Sequence, residues 1–169
     1  MTVALEDISP GHYEIAATWL ADPAVNRWMY SEWRERRPDA RTVALVAQNP
    51  RNRIWLIKVR DEPYGLCSIG AISKIDRTGV AWYLRAPNQT RLPGAMAEAV
   101  RRMTEAGFQT IGLHSISASI LEPNVGSRRV LENAGYRYAG RLREAFAFQN
   151  SFVDRLHFDC VRSDILSGP

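Results

Sequence analysis

The 169-residue chain contains only two cysteines and three histidines. Cys67 and Cys160 each fall in a strand-like run, without CxxC spacing or a nearby His pair. This argues against a metal centre and against a disulfide framework, and leaves two buried free thiols as the expectation. No apolar run is long enough to cross a bilayer, and the start, MTVALEDISPGHYEIAATWL, lacks a basic region followed by an apolar stretch. The expectation is a cytoplasmic protein that does not engage a membrane. Low-complexity tracts and repeats are also missing, which excludes solenoid and disordered classes. The arginines are scattered rather than gathered in a basic block interleaved with aromatics, so the net charge of +4 and pI near 9.4 do not point to nucleic acid. The same balance suits an anionic small molecule such as a nucleotide cofactor, or simply a solvated arginine-rich surface.

What is present is an ordinary globular composition, 46% hydrophobic and 24% charged, in a length that fits one domain over residues 1–169. A short strand is expected near Thr2 to Glu6. Pro10 opens a helix to about Leu20, with Ile15, Trp19 and Leu20 on its apolar side. Further helical pieces run from Ala24 to about Trp33 and through PDARTVALVAQNP. From Arg53 the period changes to that of strands: RIWLIKVR, LCSIGAISKI and VAWYLRAP form a meander across the turns DEPYG and DRTG. An amphipathic helix from Pro93 to Gly107 carries Met96, Val100, Met103 and Gly107 on one stripe. The strand LHSISASIL, a short helix from Val125 to Asn133, and the strands YRYAGRLREAFAF and FVDRLHFDCVR complete the order. Strict alternation in the strand from Tyr136 puts Tyr136, Tyr138, Leu142, Glu144, Phe146 and Phe148 on one face, with Arg137, Arg141 and Arg143 on the other. Glu144 is then the one carboxylate in an aromatic row. Desolvation there would raise its pKa toward the range of a general base, although pairing with an arginine gives it a purely structural role instead. His114 shares a strand face with Ile116 and reads as a core histidine; His157 lies opposite to Leu156 and Phe158 and has no partner spacing.

The strings WLADPAVNRWM, TRLPGAMAEAV, EPNVGSRRVLENAGYRYAGRLRE and VDRLHFD together resemble the GCN5-related N-acetyltransferase (GNAT) superfamily, most closely its Rim-type branch of ribosomal-protein N-terminal acetyltransferases. The run Asn-x-x-Ser-x-x-x-Leu-Glu-x-x-Gly-Tyr is the most specific part. The resemblance implies an α+β fold: a mixed, mostly antiparallel sheet splayed between its fourth and fifth strands, flanked by helices, with acetyl-coenzyme A or another acyl-coenzyme A in the gap and no metal. It implies that Arg91, Gly94, Ala95 and Met96 form the diphosphate loop, where helix N–H groups and the helix dipole favour negative charge. It likewise implies that strand N–H groups from Tyr83, Leu84 and Arg85 polarise the thioester carbonyl. Asn124 is carried over to the pantetheine arm and Arg128 to the phosphates. Ser127 takes the place of the acid for the departing thiol, since Leu131 stands where many relatives have a Tyr. Trp28, Tyr30, Trp33 and Phe146 are expected to line the acceptor site, and Asp154 to pair with an arginine.

Bland readings stand beside these. Asn124 and Ser127 are also residues that cap helices, and adjacent arginines in a first turn are commonly solvated. The acceptor expected is a small-molecule amine or a protein N-terminus, taken by a monomer or homodimer. Pro93, Met96, Leu131 and Phe146 differ from the usual family residues. That keeps open a donor on an acyl carrier protein, whose arm needs no full diphosphate loop, or a non-catalytic coenzyme-binding scaffold.

Overall fold

The computed structural model describes residues 1–29, 31–35 and 37–166. Strand β1 (Val3–Asp7) leads into a short 3-10 turn at Pro10–His12 and helix α1 (Tyr13–Ala21). Helices α2 (Pro23–Asn26), α3 (Ser31–Glu35) and α4 (Ala40–Gln48) follow. The meander comprises β2 (Arg53–Val59), β3 (Glu62–Ser73) and β4 (Thr78–Arg85). Then come α5 (Ala95–Ala106), β5 (Ser115–Leu121), α6 (Val125–Asn133), β6 (Arg137–Phe148), β7 (Ser151–Val161) and α7 (Arg162–Leu166). The strands make one seven-stranded sheet in the order β1-β2-β3-β4-β5-β7-β6.

Turn chemistry accounts for the tight connections. Arg60 and Asp61 (φ 54 and 66) join β2 to β3, and Gln149 and Asn150 (φ 48 and 62) join β6 to β7. Two consecutive left-handed residues give the turn whose twist suits a hairpin. The expected DEPYG turn is therefore shorter than its composition suggested, and β3 starts at Glu62. Asp22 caps α2 through Ala24 N–H, and Asp39 caps α4 through Thr42 N–H. The single helical piece expected from Ala24 to Trp33 is thus two short helices. In α1 the core side consists of Ala16, Ala17, Trp19 and Leu20, whereas Ile15, expected on the apolar side, is 39% exposed. His114, expected in the core, is exposed as well.

Helices cover both sheet faces. On one, α5 and α6 bury Val100, Met103 and Leu131 against Ile69, Ile116 and Phe158. On the other, α1 and α4 bury Ala16, Leu20 and Val43 against Leu56, Leu66 and Leu84. All neighbouring strands are antiparallel except β4 and β5, which are parallel because α5 carries the chain back between them. That pairing runs from Thr78↔Ser115 to Ala81↔Ala118 and stops. Beyond it β4 stays with β3 as far as Gly65↔Arg85, and β5 stays with β7 as far as Leu121↔Arg155. The sheet is therefore mixed and splayed between its fourth and fifth strands, as the resemblance implied.

The β3–β4 contact beside the splay leaves no room for a side chain at Gly65, where an added Cβ would clash with the Leu84 carbonyl oxygen. Gly65→Ala should destabilise the fold by about 1–3 kcal/mol, since backbone rather than a flexible side chain must move. A urea midpoint unchanged from the wild type would contradict that close approach.

Candidate active site

Where two parallel strands part, the helices that follow them begin at the same edge, and the crevice outside the strands' carboxyl ends becomes a ligand site. Ala86 N–H donates to Tyr64 O across to β3 (2.9 Å). Antiparallel alternation then turns Leu84 and Trp82 toward β3, and directs the N–H and C=O of Tyr83 and Arg85 into the gap. These groups in the middle of a sheet have no strand opposite them. The Tyr83 side chain crosses to the far wall, its hydroxyl donating to Ser127 O (2.9 Å). Burial pushes this phenol's pKa well up, partly offset by that hydrogen bond. Tyr83 so brackets β4 to the first turn of α6, a role the sequence did not suggest.

The loop ahead of α5 is tied down at both ends. Leu92 N–H donates to Tyr64 Oη (3.0 Å), Gln89 Nε2 donates to Pro63 O (2.9 Å), and an Arg85 Nη donates to Gln89 O. Gly94 takes φ +79 at the N-cap of α5, with no side-chain cap. A left-handed residue there lets the chain turn into the helix with its first N–H groups uncovered. Ala95 N–H reaches Leu92 O, whereas Met96 and Ala97 N–H find no backbone acceptor among the described residues. Met96 packs its side chain against the core, so its bulk does not obstruct the loop. Arg91 is exposed and has no carboxylate partner among the described residues. Glu98, the one acid in the first turn, is held by Arg101 (2.9 Å) and Arg102 (2.7 Å). These features fit a diphosphate.

At α6 the capping reading is realised: Asn124 Oδ1 accepts from Ser127 N–H (3.1 Å). The Ser127 hydroxyl has no partner among the described residues and is half-buried beside Tyr83. Arg128 pairs with Glu132 (2.9 Å) on its own helix, with both exposed. Leu131 is fully buried. Cys67 and Cys160 are buried free thiols, with ionisation pushed up by burial, to about 12 at Cys160.

The expected aromatic row on β6 does not exist as drawn. One irregularity lies between Tyr138 and Gly140, and a wider one between Leu142 and Phe146, where Arg143, Glu144 and Ala145 face Asp154 alone. The first bulge shifts the parity. Tyr138 packs edge-on against Phe158 on the α5/α6 side (5.8 Å), while Phe146 and Phe148 join Leu121, Val153 and Trp28 in a separate small cluster. Glu144 sits in the wide bulge at φ +50, exposed, and its N–H donates to Asp154 Oδ1 (2.9 Å). The desolvation expected to make it a base is absent. Asp154 pairs with Arg141 (3.3 Å), as anticipated.

Of the expected acceptor-site residues, Trp28 stacks on Phe148 (4.9 Å, 24°) and Phe146 is buried in the same cluster. Trp33 instead packs against the α1/α4 core, its carbonyl fixed by Asn26 Nδ2 (2.9 Å). Tyr30 lies outside the described residues. Two groups were missed. The Arg34 guanidinium lies 4.3 Å from the Phe146 ring centroid. His157, opposite Ser119 and one step beyond the last β4–β5 pair, has a buried Nε2 with no hydrogen-bond partner among the described residues. Only its alternation against Leu156 and Phe158 hinted that it faces away from the main core.

The family model for the Acetyltransferase (GNAT) domain matches residues 3–137. The chain belongs to the GNAT acetyltransferase family. Over 51 residues it is 43% identical to the probable N-acetyltransferase YjcK of Bacillus subtilis, covering 30% of this chain and 28% of that protein. Over 111 residues it is 30% identical to the uncharacterized N-acetyltransferase YoaA of the same organism, covering 64% and 62%. The fold is that of the spermidine N-acetyltransferase of Vibrio cholerae solved with CoA and spermine: TM-score 0.84 at 16% identity, over 97% of this chain and 98% of that one. Nothing in these likenesses singles out the Rim-type branch. Among the described residues no helix is long and apolar enough to span a membrane, and no group of three or more His, Cys, Asp or Glu is placed to hold a metal.

Because Asn124 carries the cap and Ser127 lends only its backbone N–H, the two should separate on mutation. Asn124→Ala should cost about 1 kcal/mol of stability, whereas Ser127→Ala should leave melting nearly unchanged. Equal losses in thermal melts of the two variants would show that the Ser127 hydroxyl supports the helix after all.

Proposed function

We propose that the protein transfers an acetyl group from acetyl-coenzyme A to a primary amine. The observation that carries this reading is the parting of β4 from β5 beyond Ala81 and Ala118, which turns the unpaired N–H groups of Tyr83 and Arg85 toward the start of α6. Bound acyl-coenzyme A supplies an acyl group on a sulfur leaving group. The uncovered N–H groups of Met96 and Ala97, with Arg91, hold its diphosphate. With its Oδ1 taken by the Ser127 N–H, Asn124 has its Nδ2 group left to meet the pantetheine arm.

Strand N–H groups from the Tyr83–Arg85 stretch receive the carbonyl oxygen as negative charge builds on it. Donors of this kind are worth about 10²–10³ in rate each. The amine comes from the face covered by α1–α4 and forms the new C–N bond as the C–S bond breaks. Ser127, on the opposite face, donates a hydrogen bond to the sulfur as negative charge builds on it, and the released thiolate takes its proton from solvent. That contribution is modest, since a thiolate with a pKa of about 8.5 leaves readily unaided. For the amine's proton we favour the imidazole of His157, whose buried Nε2 has no hydrogen-bond partner among the described residues, over Glu144, which lies exposed in the bulge.

This reading is favoured over a donor on an acyl carrier protein and over a non-catalytic scaffold, because the loop before α5 retains what a diphosphate needs. A protein N-terminus, the acceptor in the Rim-type branch, and a polyamine, named for the Vibrio enzyme, both fall within the amine class.

Saturating coenzyme A should raise Tm by mass action, and Arg91→Glu should reverse much of that rise. Unchanged melting of the wild type would remove the diphosphate loop from the proposal and favour the carrier-protein or scaffold reading. His157→Gln should lower kcat/KM by about 10², whereas Glu144→Gln should stay within about threefold. Loss confined to the Glu144 variant would return the base to the β6 bulge.

A further inference from the structure

We propose that Tyr64 is a positioning residue for the donor: its hydroxyl holds the loop ahead of α5 in the shape that receives a diphosphate, and so sets the affinity for coenzyme A. The proposal rests on the diphosphate reading of that loop given above and deepens it.

Tyr64 owes its direction to a bulge. Ile57 of β2 faces Gly65 and Lys58 faces Pro63, which leaves Tyr64 as the extra residue of β3. Simple alternation would put it on the face of Leu66, in the α1/α4 core. It lies instead in the α5/α6 core with Cys67 and Ile69, and is buried there. This turn of the side chain brings its Oη to Leu92 N–H, which it accepts (3.0 Å). The backbone of the same bulge holds the earlier part of the loop: Tyr64 O accepts Ala86 N–H (2.9 Å), and Pro63 O accepts from Gln89 Nε2 (2.9 Å). One irregularity in β3 thus anchors the segment from Ala86 to Leu92 at both ends.

The hydroxyl bond is the anchor nearest the ligand. Pro93 has no N–H, so Leu92 carries the last backbone donor before Gly94 turns the chain into α5 at φ +79. The Leu92 carbonyl in turn accepts Ala95 N–H (3.2 Å), one residue ahead of the uncovered N–H groups of Met96 and Ala97. A continuous path therefore runs from the Tyr64 hydroxyl through Leu92 to the helix start. Arg91 immediately precedes Leu92, so the same bond fixes the peptide beside its Cα. Without the hydroxyl, the half-buried Leu92 N–H loses its acceptor and the loop must shift to satisfy it. A loop held in shape beforehand binds more tightly than one that must be ordered by its ligand. The groups proposed to meet the thioester and the pantetheine arm, on β4 and α6, do not hang on this path. Tyr64 should therefore govern the nucleotide end of the donor and leave the arm alone.

The test compares the full chain with Tyr64→Phe, which keeps the buried ring and removes only the hydroxyl. Calorimetric titration should show coenzyme A binding weakened by about tenfold. Pantetheine, the same arm without the nucleotide diphosphate, should bind both proteins within about twofold in chemical-shift titrations. Amide hydrogen exchange without ligand gives a second readout. Leu92 N–H should be protected in the wild type and exchange at least about tenfold faster in the variant, with the amides of buried Ile116 and Phe158 unchanged. A hydroxyl that merely supports the fold would loosen those core amides or weaken both ligands alike, and either result overturns the proposal. Coenzyme A affinity within about twofold of the wild type does the same. A wild type that binds no coenzyme A overturns the diphosphate reading and this proposal with it. Leu92 exchange, read without ligand, tells that failure apart from the absence of the tether itself.

Discussion

Backbone hydrogen bonding at the seam between β4 and β5 governs the rest of this structure. Each strand is committed on its outer side, β4 to β3 and β5 to β7, so neither is free to bend and close the gap beyond Ala81 and Ala118. Peptide groups left unpaired inside a sheet are costly unless water or a ligand meets them. The same seam is where α5 and α6 begin, so strand N–H groups and helix N–H groups converge on one crevice. A binding site for a long, anionic, hydrogen-bond-accepting donor follows from the topology before any side chain is considered.

Side chains then divide the work between the two faces. The α5/α6 side carries the elements suited to the donor: Gly94 and Arg91 before α5, Asn124 and Ser127 at the start of α6, and Tyr83 bracing the strand to that helix across the gap. The opposite side carries Phe146, Arg34, Arg155 and His157, and is the face from which the proposed mechanism brings the amine. Reactants on opposite faces meet only in the gap, which is how a rigid sheet orients two molecules.

The two bulges of β6 show how a small backbone irregularity reassigns chemistry. Without them Tyr138, Glu144 and Phe146 would share one face and the carboxylate would be desolvated by aromatic rings. With them Tyr138 turns to the main core, Phe146 turns to the acceptor side, and Glu144 is left in solvent. Bulges re-aim side chains in this way because strand periodicity is two residues, so one extra residue reverses every facing after it.

Local signals were enough for much of the fold. The hydrophobic period marked β2, β4 and α6 to within a residue or two, and the Asn124-to-Tyr136 string pointed to the family and to a capped helix at the right place. The buried state of Cys67 and Cys160 was legible for the same reason, since it depends on alternation along one strand, and the resemblance supplied the pairing of Asp154 with an arginine, which the structure makes Arg141. Only the tertiary structure decided which residues meet across elements. The end of β4–β5 pairing, the Tyr83–Ser127 bond, the convergence of Arg34 and Arg155 on Phe146 and the orphaned His157 all join segments distant in sequence. The exposure of Glu144 turned on two bulges that no residue type announces. Periodicity and capping are properties of a short stretch of chain, whereas register and proximity are properties of the packed whole, and the chemistry of this site lies in the second.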